Sequence, residues 1–73
     1  MDNYGKVNIT VNEVMKKKKI TISKLCREAR LQFKQGQGYM TNTIESVDLN
    51  VLARICKTLD CEISDVLEYI KPI

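Results

Sequence analysis

From Gln32 to Thr43 the chain reads Q-F-K-Q-G-Q-G-Y-M-T-N-T, and no acidic side chain stands between Glu28 and Glu45. Glutamine presents a donor and an acceptor side by side, the pattern that matches the edge of adenine. Lysine donates to the acceptor atoms of guanine. Lys34, Gln35 and Gln37 fall on the outside of a helix expected from about Phe33 to Met40, with Tyr39 turned inward. Such a surface suits edge-on contact with bases rather than bond-breaking chemistry. Gly36 and Gly38 stand inside the same helix, each costing about 1 kcal/mol relative to alanine.

A helix with that surface needs neighbours to hold it. Thr21 is placed to cap a helix in which Ile22, Leu25, Cys26 and Ala29 recur at helical spacing, leaving Ser23, Lys24, Arg27 and Glu28 outside. Arg30-Leu31-Gln32 makes the turn, so Ile20–Asn42 reads as two short helices joined tightly. Upstream, an amphipathic helix is expected from about Thr10 to Lys18, with Val11, Val14 and Met15 on one face. The run Lys16–Lys19 suits the negative end of that helix, and equally suits phosphate contact, with Lys17 and Lys18 the candidates. Residues 1–9, with Val7 and Ile9 alternating, are expected to form a weakly ordered lead-in or a short extended arm before a domain spanning 10–73.

Downstream, Thr41–Ser46 is a polar connection anchored by Ile44. Asp48 caps the most regular helix of the chain, and Val47 is placed to staple onto Leu52. Its expected inward stripe is Leu49, Leu52, Ile55, Cys56 and Leu59, with Ala53 allowing close approach. A last helix is expected over Asp65–Ile70, capped by Ser64 and turning Ile63, Val66, Leu67 and Ile70 inward, with Pro72 beyond it. The expected fold class is therefore all-α, five short helices in one compact domain.

Composition narrows the function classes. Seventy-three residues bury only a thin core. No apolar run approaches the roughly 18–20 residues a membrane span needs, and no basic-then-apolar leader opens the chain. Cys26, Cys56 and Cys61 are odd in number, show no C-x-x-C spacing and have no histidine to join them. They read as small apolar fillers in a reducing cytoplasm, and neither a metal nor any other cofactor is expected. Gly36-Gln37-Gly38 lacks the strand and the lysine of a phosphate loop, with Thr41 where a dinucleotide fingerprint needs its third glycine. No nucleophile stands beside an evident base, so no catalytic activity is expected. Residues 1–40 carry nine basic and three acidic side chains, and residues 41–73 carry three basic and six acidic. A polyanion is drawn to the first half.

Leu25, the small Cys26, Leu31 and Tyr39, followed by V-D-L-N-V-L-A-R-I-C-K-T-L-D-C-E-I-S-D-V-L-E-Y-I, give the chain a resemblance to the Cro/cI-type, lambda-repressor-like helix-turn-helix regulators. It covers about Val11 to Ile70 and looks closest to the very small bacterial branch. Within that branch it is similar to the small regulators that accompany mobile elements and glycopeptide-resistance gene clusters. The resemblance implies a five-helix bundle whose third helix lies in the major groove while the second crosses the backbone. It puts Gln32, Phe33, Lys34, Gln35, Gln37 and Gly38 toward double-stranded DNA, and Thr21, Lys24, Thr41, Asn42 and Thr43 near phosphates. A domain of this size implies a homodimer on two half-sites ~34 Å apart.

Two positions depart from the family pattern. Arg30 occupies the turn position usually given to glycine. Gly36 occupies the place of a branched aliphatic that plugs the third helix into the core. A helix weakened there supports a second reading, a protein-interaction module of antirepressor or antitoxin-like type. On this reading of the sequence, Gly36→Ala is expected to raise the melting temperature through helix propensity alone.

Overall fold

Five helices lie between the two strands of a short β-ribbon along residues 3–73, the part of the chain that the computed structural model describes. In order these are β1 (Lys6–Ile9), α1 (Val11–Lys18), α2 (Ile22–Ala29), α3 (Phe33–Thr41), α4 (Leu49–Leu59), α5 (Ile63–Val66) and β2 (Leu67–Ile70). Met1 and Asp2 of the expected lead-in lie outside the described residues.

The helix starts follow from their caps. Thr21 Oγ1 accepts a hydrogen bond of 3.1 Å from the Lys24 N–H at the head of α2. Asp48 Oδ1 accepts from the Asn50 and Val51 N–H groups at 2.8 and 3.2 Å, occupying two of the free donors of α4. The helix ends are less usual. α1, α2, α3 and α4 each stop at a left-handed residue that is not glycine: Lys19 (φ 56°), Arg30 (58°), Asn42 (59°) and Asp60 (51°). Each carries a backbone N–H bonded to a carbonyl of the last turn, which offsets the steric cost of the left-handed conformation. Arg30 therefore takes the conformation that a glycine would take at the tight turn.

The core gathers Val11, Val14 and Met15 of α1, Leu25, Cys26 and Ala29 of α2, and Leu31 and Tyr39 around α3. Val51, Leu52, Ile55 and Leu59 of α4, with Val66 and Ile9, complete it. α4 differs from expectation. Leu49 is 80% exposed, whereas Val51 is buried. Val51, Ile55 and Leu59, four residues apart, lie along the side that meets the core, so the stripe is rotated toward Val51. Ala53 is exposed and does not belong to the buried stripe.

The end of the chain corrects the all-α expectation. α5 is a single turn, headed by Glu62 rather than Ser64, with Glu62 and Asp65 forming a reciprocal capping box. From Leu67 the backbone is extended and β2 pairs antiparallel with β1, Lys6 opposite Ile70, Val7 opposite Tyr69, Asn8 opposite Glu68 and Ile9 opposite Leu67. The Thr10 N–H donates to the Val66 carbonyl at 2.8 Å, and Thr10 Oγ1 donates to the Asp65 carbonyl at 2.8 Å, so the ladder runs on into the start of α1. A helix of one or two turns has little stability of its own, and the extended arm supplies a partner that makes the strand the better choice. Gly5, at φ 83°, sits where a Cβ would collide with the Ile70 carbonyl oxygen, so the ribbon closes there only with glycine.

Candidate nucleic-acid interface

Two helices and the turn between them build the site. α2 ends at Arg30, and the Arg30 and Leu31 N–H groups both bond to the Cys26 carbonyl. Arg54 reaches across from α4 and donates to the Arg30 carbonyl at 3.1 Å, placing a cation at the negative end of α2. The chain then reverses into α3, which Gln32 precedes in an extended conformation and without a side-chain cap.

On its inner side α3 is closed by a contact that the sequence leaves hidden. A Cβ added at Gly36 would overlap Cys26 Sγ, with Ile22 Cδ1 3.5 Å and Leu31 Cδ1 3.9 Å from it. The side chain missing from α3 is thus supplied from α2: Cys26 Sγ fills the place that a side chain at position 36 would take. Burial pushes the Cys26 thiol above its usual pKa, against a smaller opposing pull from the Gly36 N–H, so the filler is a neutral thiol. Gly36 is a requirement of close approach, and the expectation that Gly36→Ala is sterically free is overturned. At the far end of α3 the buried Tyr39 accepts a hydrogen bond at its hydroxyl from the Asp48 N–H, 3.1 Å, which ties α3 to the head of α4.

The outer side of α3 is polar and open. Gln32, Phe33, Lys34, Gln35, Gln37 and Thr41 are all exposed. Among the described residues, no hydrogen bond or ion pair engages the side chains of Lys34, Gln35 or Gln37. Lys34, Gln37, Gly38, Thr41, Thr43 and Ile44 line one shallow groove, so five of the expected contact residues come together in space. Thr41 Oγ1 donates to the Gln37 carbonyl at 2.8 Å and lies 3.0 Å from Thr43 Oγ1, fixing the two hydroxyls at the C-terminal end of that groove. Thr21 and Lys24 are exposed at the head of α2.

Three expected contacts are placed otherwise. Gly38 is buried, and a Cβ there would come within 2.8 Å of Ile44 Cγ2, so it forms the floor of the groove beneath the loop. Asn42 is turned to the ribbon: its Oδ1 accepts from the Ile9 N–H at 3.0 Å and its Nδ2 donates to Asn8 Oδ1 at 3.4 Å. Lys18 Nζ donates to the Asp60 carbonyl at 3.1 Å, at the negative end of α4. Lys17 remains exposed. Asn42 is a positioning residue that sequence reasoning missed; the available signal was an Asn directly after a helix, the usual non-glycine choice for a left-handed cap.

Among the described residues, no group of three or more His, Cys, Asp or Glu side chains comes together to hold a metal, and no helix is long and apolar enough to cross a membrane. Cys61 sits beside Cys56 at the end of α4, and its pKa is pushed up to about 11, chiefly by burial and then by the neighbouring thiol.

Compared with known proteins, no curated protein matches the chain. The family model of the Cro/C1-type HTH DNA-binding domain matches residues 10–72, from the cap of α1 through the end of the ribbon. The match takes in the capped α2, the tight left-handed turn at Arg30 and α3, and the chain belongs to the Cro/C1-type helix-turn-helix DNA-binding domains.

Proposed function

We propose that the protein is a small transcriptional regulator that reads a specific double-stranded operator by laying α3 in the major groove. The observation that carries this reading is the outer side of α3, where Lys34 and Gln37 line one groove and keep their hydrogen-bonding groups free. Free donors and acceptors on a firmly packed helix are what direct base readout requires. Thr21, Lys24, Thr41, Thr43 and Lys17 supply the accompanying phosphate contacts, which set register without specifying sequence. A second copy on an adjoining half-site supplies the remaining affinity, and the reduced cysteines fit a cytoplasmic setting. The protein-interaction reading drew on a weakened third helix, and the Cys26 Sγ that fills the place of a Gly36 side chain supports a closely packed α3 instead. No curated relative narrows the kinship to the regulators of glycopeptide-resistance clusters or of any other gene set.

Selection of bound sequences from a random duplex pool tests the proposal, because it reports binding, specificity and site symmetry together. Enrichment of a defined motif is the expected result. Lys34→Ala and Gln37→Ala should each abolish discrimination between that motif and random duplex while circular dichroism shows unchanged helix content. Both variants footprinting the same operator as the parent would remove α3 as the reader.

A further inference from the structure

The outer side of α3 holds one residue that the hydrogen-bonding account does not use. Phe33 is the only phenylalanine in the chain and is 53% exposed. It lies outside the hydrophobic core cluster and outside the partly buried residues that pack against it. It is the first residue of α3, directly after Gln32, and the i, i+4, i+8 spacing places it on one stripe with Gln37 and Thr41. All three side chains are exposed. In a helix-turn-helix the N-terminal residues of the reading helix are those that meet base edges. A large apolar ring thus stands at the tip of the reading surface.

Base edges offer little for such a ring to recognise. In the major groove the one apolar group that projects from the base edges is the C5-methyl of thymine; cytosine has only a C–H at that position, and the other pairing-edge atoms are hydrogen-bond donors or acceptors. A phenyl ring seated over adenine, guanine or cytosine displaces water from polar groups and gives them no partner, which is unfavourable. Over thymine it buries methyl surface instead.

From this we infer that Phe33 is a specificity-determining residue that reads the C5-methyl group of a thymine, so each half-site of the operator contains one thymine recognised through its methyl alone. The inference rests on the DNA-reading role of α3 proposed above. It divides the labour on that helix: Lys34 and Gln37 select by hydrogen bonding, and Phe33 selects by burial at a neighbouring base pair. Burying one methyl group is worth about three- to tenfold in affinity.

The experiment uses the full chain and the operator obtained by pool selection. Each thymine is replaced in turn by uracil, which removes the methyl and leaves the pairing edge intact, and dissociation constants are measured at one fixed salt concentration. One thymine per half-site should show a loss of about three- to tenfold on replacement by uracil. Cytosine at that position should also bind weakly, and 5-methylcytosine should recover part of the loss. F33A should bind the thymine operator as weakly as the parent binds the uracil operator, with no further loss on uracil substitution, while still preferring its motif at the positions read by Lys34 and Gln37. Parent protein that binds its operator specifically but is indifferent to uracil at every thymine overturns the inference and leaves the proposed function standing. Failure to enrich any motif overturns both. A methyl effect that persists unchanged in F33A assigns the contact to another residue and overturns the role of Phe33.

Discussion

At Gly36 the absence of a side chain makes room for Cys26 Sγ, so the two residues share one packing site between α2 and α3. Replacing Gly36 by alanine gains roughly 1 kcal/mol of helix propensity, but overpacking a filled site costs about 1–3 kcal/mol. Gly36→Ala is therefore expected to lower stability, and the same change in a Cys26→Ala background to be neutral or stabilising. Urea unfolding of the four proteins in this cycle decides the matter; effects that simply add within about 0.5 kcal/mol mean the two residues do not share a site. Cys61 gives a second residue-scale test. Its folded pKa of about 11 lies above the ordinary thiol value of 9.0, so its contribution to stability is complete below about pH 9 and is lost as pH rises toward 11. Cys61→Ala should flatten that part of the curve of melting temperature against pH, and an unchanged difference between the two proteins from pH 8 to 11 would argue against a partly buried, protonated thiol.

Among the elements, the ribbon matters most to how α3 is held. β1 pairs with β2 on one side and is gripped by Asn42 on the other, so the residue that ends α3 also fixes the N-terminal arm. Asn42→Gly separates backbone from side chain, because glycine adopts the left-handed conformation without strain but offers the Ile9 N–H no acceptor. The variant is expected to lose about 1 kcal/mol of stability, with faster hydrogen exchange at the Ile9 amide. Equal or greater stability would show that the side-chain bond contributes nothing. Sequence periodicity located the helices well where their caps are local, as at Thr21 and Asp48. It misread 67–70, because Val66, Leu67 and Ile70 satisfy helical spacing as well as they satisfy a strand, and the deciding partner lies some sixty residues away at Lys6–Ile9. It also misplaced Leu49, since the choice between Leu49 and Val51 as the inward residue depends on where the rest of the core meets α4.

For the whole molecule, the separation of charge between the halves of the chain is the property that a polyanion senses first. The lysine run at the end of α1 is part of it, although Lys18 is drawn to the Asp60 carbonyl. Lys16→Ala combined with Lys17→Ala should weaken specific and non-specific duplex binding alike. It should also reduce the slope of log affinity against log salt, by about 0.9 for each phosphate that the variant no longer neutralises. An unchanged slope would reduce these lysines to a solvated helix end. An apolar protein interface would not show the steep salt dependence at all, which separates the two functional readings in one titration.

By itself the sequence determined the caps at Thr21 and Asp48, the order of the first four helices, the tight turn at Arg30 and the polar outer side of α3, because each depends on residues within one or two turns of each other. Tertiary structure decided that Gly36 was a fit and not a vacancy, that the last segment was strand and not helix, and which polar residues were free for a partner. Those questions turn on contacts between distant segments: Cys26 against Gly36, β1 against β2, Asn42 against Ile9. The outer surface of α3 was legible from its side chains alone, but only the packing beneath it shows that Gly36 lets the helix sit closely on α2.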